Sequence, residues 1–153
     1  MSRLYPDRPI LAASVAVFRD GKVLLGARAN PPAAHVFSLP GGVVEIGEPL
    51  EEAALRELLE ETGYRATEWA HAGVLHPVIS YSTEFIDIWF ARGLTQGERQ
   101  LDEGEFLDVF DASMDELLAW SRDGQLTDAK TLTGLLWLQN HLSGAWPLQW
   151  QRI

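Results

Sequence analysis

Cysteine is absent from the chain, which excludes disulfide bonds and metal sites made of thiolates. No segment approaches the roughly 20 apolar residues that a membrane-spanning helix needs. The opening residues, MSRLYPDRPI, contain no apolar core of the kind that a secretory signal has. From these absences we expect a cytoplasmic protein that has no membrane partner.

Basic residues are scarce: Lys and Arg number 12, Asp and Glu number 22, and the net charge is −10. A surface of this charge repels nucleic acid and anionic membranes, because binding to either needs basic side chains that displace counterions. We therefore expect no nucleic-acid partner. A phosphorylated small molecule would need a cation between itself and the protein.

The length of 153 residues suits a single domain, residues 1–153, with a sizeable core. Apolar runs bounded by glycine, proline and polar residues predict strands. Asp20-Gly21 predicts a hairpin between the first two strands, and Gly41-Gly42 is expected to form a turn after the third. The expected strands lie within residues 10–29 (two strands), 36–42, 72–80, 83–94 and 105–112.

Helix signals occur at three places in the sequence. The first expected helix has Pro49 as its first helical residue and ends at Gly63. The second is indicated by the capping-box spacing of Ser113 and Glu116, and the third spans about residues 128–143. Strands and helices together predict an α/β or α+β fold with a mixed central β-sheet and flanking helices.

Three glutamates, Glu57, Glu60 and Glu61, lie three and four residues apart near the end of the first helix. That spacing places their side chains on one helix face. The C-terminal end of a helix carries partial negative charge, which makes each carboxylate there unfavourable by about 0.3–1 kcal/mol. Either a divalent cation with oxygen ligands offsets this repulsion, or the glutamates form a solvated acidic face in which Glu52 and Glu60 each pair with Arg56.

The residues before this cluster complete a longer pattern, G-x5-E-x7-R-E-U-x-E-E-x-G-U, in which U is a bulky apolar residue. This pattern is the Nudix box, and the chain thereby resembles the Nudix hydrolases, which cleave nucleoside diphosphates linked to another moiety. The residues that fill the fixed places are Gly42, Glu48, Arg56, Glu57, Leu58, Glu60, Glu61, Gly63 and Tyr64.

The resemblance implies a Nudix-type α/β/α sandwich in which the box forms a strand-loop-helix-loop element. It also implies that Glu57, Glu60 and Glu61 carry Mg²⁺ or Mn²⁺. In such proteins the arginine of the box orients the acidic cluster, so Arg56 and its partner Glu48 are expected to belong to the catalytic machinery.

The general base is less directly indicated by the sequence. In the family it is often a glutamate on a loop outside the box. Here Glu105 and Glu103 precede the last expected strand. We expect Glu105, and after it Glu103, to act as the base or as an additional metal ligand. If neither serves, Glu60 or Glu61 would activate the water.

Beyond the box, the segments DEGEFLDVF and 123–138 resemble ADP-ribose pyrophosphatases. This implies ADP-ribose or a sugar nucleotide as the substrate. Many bacterial members of that subgroup also have an N-terminal subdomain, which we do not expect in this protein. Tyr81 is similar in position to a tyrosine of the diadenosine polyphosphate hydrolases, so those compounds and nucleoside triphosphates remain alternatives. We expect Gly42, Arg28 and Tyr81 to contact the substrate, a nucleoside diphosphate derivative.

Two hypotheses of another class compete with an enzyme. One is a non-catalytic Nudix module that senses nucleotides, and the other is an acidic structural protein without a metal site. The intact box favours the enzyme. A homodimer is left open, with Trp146 and Trp150 as candidate contacts in the tail.

Overall fold

The computed structural model describes residues 10–28, 36–96 and 107–152. Within these ranges, eight strands form a mixed sheet and three helices cover its two faces. The predicted fold class is confirmed. The strands are β1 (Leu11–Arg19), β2 (Lys22–Arg28), β3 (Phe37–Ser38), β4 (Gly41–Val43), β5 (Tyr64–Leu75), β6 (Phe85–Gln96), β7 (Leu107–Ser113) and β8 (Gln151–Arg152). The helices are α1 (Leu50–Thr62), α2 (Met114–Asp123) and α3 (Ala129–Leu142).

The strand order of the sheet is β3-β2-β1-β6-β5-β8, with β4 paired to β1 and β7 paired to β2. Strands β1 and β6 run parallel, and the other pairs are antiparallel. Because β1 pairs with both β4 and β6, it connects the box strand to the long β5–β6 hairpin. This arrangement places the box at the middle of the sheet.

The predicted hairpin between β1 and β2 is confirmed. Asp20 and Gly21 both have positive φ angles, 53° and 75°. Two successive residues with positive φ are what a type I′ turn requires, and this turn matches the twist of the flanking strands. The register then pairs Phe18 with Val23 and Arg19 with Lys22.

The prediction for residues 36–42 is wrong in its detail. Instead of one strand that ends in a glycine turn, the segment forms the two short strands β3 and β4. Gly41 and Gly42 are themselves strand residues, and they pair with Ser14 and Ala13 of β1. Glycine is common in turns, but here the two glycines pair with β1, which is distant in the sequence. The residues around Gly41 and Gly42 give no information about this pairing.

Two further differences concern the edge of the sheet. Strand β5 begins at Tyr64, directly after α1, and not near residue 72 as predicted. The tail forms β8, which was not predicted, on the outer side of β5. There the guanidinium of Arg92 lies 3.8 Å from the ring centroid of Trp150, so Trp150 anchors the tail through a cation–π contact.

Each face of the sheet has its own apolar core. On one face, Ala53, Ala54 and Leu58 of α1 pack with Val15 and Trp89 of the sheet, all of them buried. On the opposite face, buried leucines of α2 and α3 pack on the alternate residues of the same strands. Among the described residues, no helix has the length and apolar character that crossing a bilayer requires.

Helix α1 is bounded almost as predicted. Pro49 is the N-cap, with φ −62° and ψ 152°, and the first helical residue is Leu50, so the predicted start is one residue too early. Gly63 adopts the left-handed conformation at φ 77°, and its N–H donates a hydrogen bond to the carbonyl of Leu59. The glycine therefore ends the helix and allows β5 to follow directly.

Candidate active site

The acidic residues of α1 differ in their exposure. Glu57 and Glu61 are buried, at 9% and 8% of their full exposure, whereas the side chain of Glu60 is 31% exposed. Two of the three carboxylates thus face the protein and not the solvent, because residues four apart share a helix face and this face is turned toward β4. The alternative of a solvated acidic face is wrong for Glu57 and Glu61.

Arg56 connects these glutamates to the loop before the helix. Its Nε donates to Glu48 at 2.7 Å and its Nη2 donates to the same carboxylate at 3.0 Å. Its Nη1 donates to Glu57 at 2.9 Å and to Glu60 at 3.1 Å. One planar guanidinium therefore fixes the positions of three carboxylates, which is the arrangement expected for a box arginine.

This network shifts the ionisation of both partners. The hydrogen bond from Arg56 lowers the pKa of Glu48 below its ordinary value of 4.5, against the opposing effect of burial. The hydrogen bond to Glu48 raises the pKa of Arg56 further above its already high value. Both groups are therefore charged throughout the neutral range.

We expect Glu48→Gln to lower the free energy of unfolding by about 2 kcal/mol near neutral pH, because it weakens two charge-assisted hydrogen bonds. The folded protein holds the pKa of Glu48 below 4.5, so this stabilisation is present above that pH and is lost as the pH falls through the lowered pKa. The difference in melting temperature between wild type and variant should therefore shrink in acid.

Thermal unfolding measured from about pH 7 down to about pH 3 checks this expectation. Glu45→Gln is the matched control, because Glu45 lies 3.9 Å from Arg56 with its side chain 68% exposed. An exposed pair contributes only about 0–1 kcal/mol, so the control should melt close to the wild type. A difference for Glu48→Gln that stays constant into acid would contradict the assigned ion pair.

Two glycines of β4 approach the buried carboxylates. The backbone N–H of Gly41 donates to Glu61 Oε2 at 3.1 Å. A Cβ on Gly42 would overlap the carboxylate of Glu57. The contact between Gly42 and Glu57 therefore exists only because position 42 has no side chain.

The donor set fits a hard divalent cation in its chemistry. Glu57, Glu60 and Glu61 offer only carboxylate oxygens, the ligands that Mg²⁺ and Mn²⁺ prefer. Within the described residues, however, no group of three or more acidic or histidine side chains is arranged to hold a metal ion as it stands. The guanidinium of Arg56 bonds to Glu57 and Glu60, and these carboxylates would have to turn toward the ion.

The remaining four predicted site residues lie partly outside the part of the chain that the structure describes. Arg28 is the last residue of β2, and its side chain is not described. Tyr81 lies between β5 and β6 with 85% of its surface exposed. Glu103 and Glu105 lie outside the described residues. The roles assigned to these four residues stay predictions.

Sequence reasoning missed one polar group on the same face of the sheet as α1. Asp87 is 1% exposed, and its two oxygens contact His71 and Trp89. The signal was an aspartate within an otherwise apolar strand, FIDIWF, where a buried charge requires a partner. The partner could not be identified, because His71 is 16 positions away in the sequence.

The comparison with known families identifies the box element. The sequence profile of the NUDIX domain matches residues 8–133, a range that includes β4, α1 and the loop between them. This chain belongs to the Nudix family. The resemblance inferred from the box is confirmed, and with it the assignment of the protein as a Nudix hydrolase. Members of the family generally need a divalent metal ion.

Curated relatives and solved structures agree with this assignment. The Nudix chain is 32% identical over 136 residues to the methanol dehydrogenase activator of Bacillus methanolicus, covering 86% of this chain and 72% of the relative. It is 31% identical over 134 residues to the ADP-ribose pyrophosphatase of Bacillus subtilis strain 168, with the same two coverages.

Two crystal structures share the fold. An ADP compounds hydrolase superimposes with a TM-score of 0.79 at 24% identity, covering 90% of this chain and 76% of that one. The MutT NUDIX hydrolase from Burkholderia pseudomallei gives 0.69 at 23% identity, covering 86% and 99%. At these identities the likeness concerns the fold alone.

Proposed function

We propose that this Nudix hydrolase cleaves the diphosphate of a nucleoside diphosphate derivative, with ADP-ribose or a sugar nucleotide as its substrate. The name of the Bacillus subtilis relative supports ADP-ribose, since that relative covers most of this chain. Water would attack one phosphorus, break the bond to the bridging oxygen and release two phosphorylated fragments. From ADP-ribose these products are AMP and ribose 5-phosphate.

The observation that carries the proposal is the burial of Glu57 and Glu61 against the backbone of β4. Both carboxylates are held by partners, Glu57 by Arg56 and Glu61 by the N–H of Gly41, yet the partial negative charge of the helix C-terminus disfavours two carboxylates there. In a protein of net charge −10, such a cluster is expected where function requires it. A site for a cation that bridges protein and polyphosphate is such a function.

Each residue of the site has a distinct proposed role. Glu57, Glu60 and Glu61 hold Mg²⁺ or Mn²⁺. A divalent ion held by these carboxylates would supply positive charge against the phosphate oxygens and would make the attacking water easier to deprotonate. Arg56 fixes the carboxylates through its donor fork, and Glu48 holds Arg56 in place.

The remaining roles concern the substrate and the proton. Gly42 allows close approach to the carboxylates, and Arg28 and Tyr81 contact the substrate. Glu105, or Glu103 in its place, takes the proton of the attacking water. We further propose that the protein acts in the cytoplasm on a small molecule, either as a monomer or as a homodimer.

A substrate panel tests this proposal. The purified protein is incubated with Mg²⁺ or Mn²⁺ and, separately, with ADP-ribose, sugar nucleotides, dinucleoside polyphosphates and nucleoside triphosphates. We expect ADP-ribose or a sugar nucleotide to give the highest kcat/KM and EDTA to abolish turnover. A higher kcat/KM for a dinucleoside polyphosphate or a nucleoside triphosphate would contradict the proposed substrate class and assign that other class instead. Binding without turnover of any compound would favour the sensor hypothesis.

A further inference from the structure

Asp87 is a charged residue within an apolar core. It lies in β6 between Ile86 and Ile88, is 1% exposed and points to the face that α1 covers, as Trp89 does two residues later. Its carboxylate accepts a hydrogen bond from Trp89 Nε1 at 2.5 Å, and its other oxygen lies 2.5 Å from His71 Nε2. Such a group is costly to bury and is retained only with its partners in place.

The two partners of Asp87 differ in a way that determines the proton position on His71. Indole nitrogen can only donate, and an ionised carboxylate can only accept. With Asp87 ionised, the Nε2 of His71 keeps its proton and donates a hydrogen bond to the carboxylate. In the neutral ring, this leaves Nδ1 as a hydrogen-bond acceptor.

The ring of His71 lies partly in solvent. Its side chain is 46% exposed, and it packs on Trp89 with the ring centroids 5.0 Å apart. No described residue is a hydrogen-bond partner of its Nδ1. The pairing of β5 with β6 shifts its register between His71 and Gly73, an irregularity that changes the direction of side chains and is frequent beside functional sites.

Strand pairing connects this group to the box. Gly42 of β4 pairs with Ala13 of β1, and Ala13 pairs with Asp87 of β6. Directly paired residues point to the same face of a sheet, so Asp87 shares a face with the Gly42 contact to Glu57. Gly42 and Asp87 are two strand spacings apart, and His71 lies on β5, one strand further, so its backbone is about 15 Å from Gly42. The His71 ring reaches back to Asp87, so the gap between the ring and the box carboxylates is about the length of a diphosphate with its attached sugar.

We propose that His71 is a substrate-binding residue whose Nδ1 accepts a hydrogen bond from a hydroxyl of the sugar attached to the diphosphate. Asp87 is its positioning residue, because it fixes the ring and the tautomer without contacting the ligand. The inference rests on the proposed function, since it places the diphosphate at the box carboxylates. It adds the group that distinguishes a sugar diphosphate from a simple phosphate anhydride.

Kinetics of His71→Phe provide the first test. The ring shape is kept and both nitrogens are lost, so one hydrogen bond to the substrate disappears. We expect KM for ADP-ribose to rise about tenfold and kcat to change less than about threefold. His76→Phe is the matched control, because His76 is an exposed histidine directly after β5 that packs on Phe85. An unchanged KM in His71→Phe would overturn the proposal.

Asp87→Asn tests the positioning role separately. The amide must present its oxygen to Trp89, so its NH₂ faces His71 and the ring proton moves from Nε2 to Nδ1. Nitrogen NMR of the imidazole should show this exchange of tautomer. KM should stay within about threefold of the wild type, because a hydroxyl can accept as well as donate. An unchanged tautomer would overturn the positioning role of Asp87. A tenfold rise in KM would show that the ligand group at Nδ1 can only donate a hydrogen bond, which would overturn its assignment as a sugar hydroxyl.

A titration that needs no turnover separates this inference from the proposed function. Ribose 5-phosphate is added to the full chain with Mg²⁺ while the imidazole resonances are followed by NMR. We expect the resonances of His71 to shift and those of His76 to stay, with inorganic phosphate giving no shift. If His71 is unaffected, or responds equally to inorganic phosphate, the sugar contact is overturned even when ADP-ribose is hydrolysed. Lack of hydrolysis in the wild type refutes the proposed function alone.

Discussion

Glu61→Gln is expected to lower kcat for ADP-ribose by at least about tenfold at saturating Mg²⁺, because it removes the charge of a carboxylate that we propose as a metal ligand. The substitution changes almost no volume. The amide oxygen of Gln can still accept from the N–H of Gly41, which now lies 3.1 Å from Glu61 Oε2. Packing and this backbone contact are therefore retained, and the negative charge is the quantity tested.

The electrostatics of α1 explain why this charge is informative. Glu61 lies one residue before the end of the helix, and the last turn contains no basic residue. The partial negative charge of the helix end disfavours a carboxylate there by about 0.3–1 kcal/mol, and burial at 8% exposure adds to the cost. The attraction of a bound cation to the carboxylate would offset both costs.

Rate and metal affinity should therefore fall together. Turnover is measured across a range of Mg²⁺, and Mn²⁺ binding is measured by calorimetry on the same samples. Glu51→Gln is the control on the same helix, because Glu51 is exposed in the first turn, where the helix field favours a carboxylate. The control should keep its rate and its Mn²⁺ affinity. Full activity of Glu61→Gln at saturating Mg²⁺ would refute the assigned metal role.

Features that depend on neighbouring residues could be predicted from the sequence. The Asp20-Gly21 hairpin follows from two residues that tolerate positive φ, and the capping box of Ser113 and Glu116 forms as expected. The end of α1 at Gly63 is of the same kind. In each case the determining interaction spans at most four residues, so the local sequence contains it.

Features that depend on strand pairing could not be predicted. Gly41 and Gly42 form a strand only because β1 lies beside them, and that same strand encloses Glu57 and Glu61. A helical pattern alone shows a common face for the glutamates but not what this face contacts. The pair of Asp87 and its histidine partner depends likewise on the register between β5 and β6.

Gly42→Ala is expected to lower kcat/KM by at least about tenfold while the fold is kept. The added Cβ would overlap the carboxylate of Glu57, which must then leave its position beside Arg56. Gly42 is not among the described glycines with positive φ, so alanine adds no backbone strain there. The colliding atoms are the end of a flexible side chain, and we expect destabilisation of only about 1 kcal/mol.

The neighbouring glycine provides the contrast. A Cβ on Gly41 would meet the carbonyl of Ala13 and the Cα of Ser14, which belong to the backbone of the central strand. Because a backbone in a sheet cannot move aside as a side chain can, Gly41→Ala should reduce the melting temperature much more than Gly42→Ala. Thermal unfolding of the two variants separates loss of structure from displacement of a ligand.

A double-mutant cycle isolates the contact between Gly42 and Glu57. With Glu57→Ala the carboxylate is gone, and adding Gly42→Ala should cause no further loss of rate or Mn²⁺ affinity. The two substitutions are then fully non-additive, as expected when one acts only through the other. If their effects add instead, the Cβ at position 42 blocks the substrate itself, and Glu57 is not the side chain that the glycine accommodates.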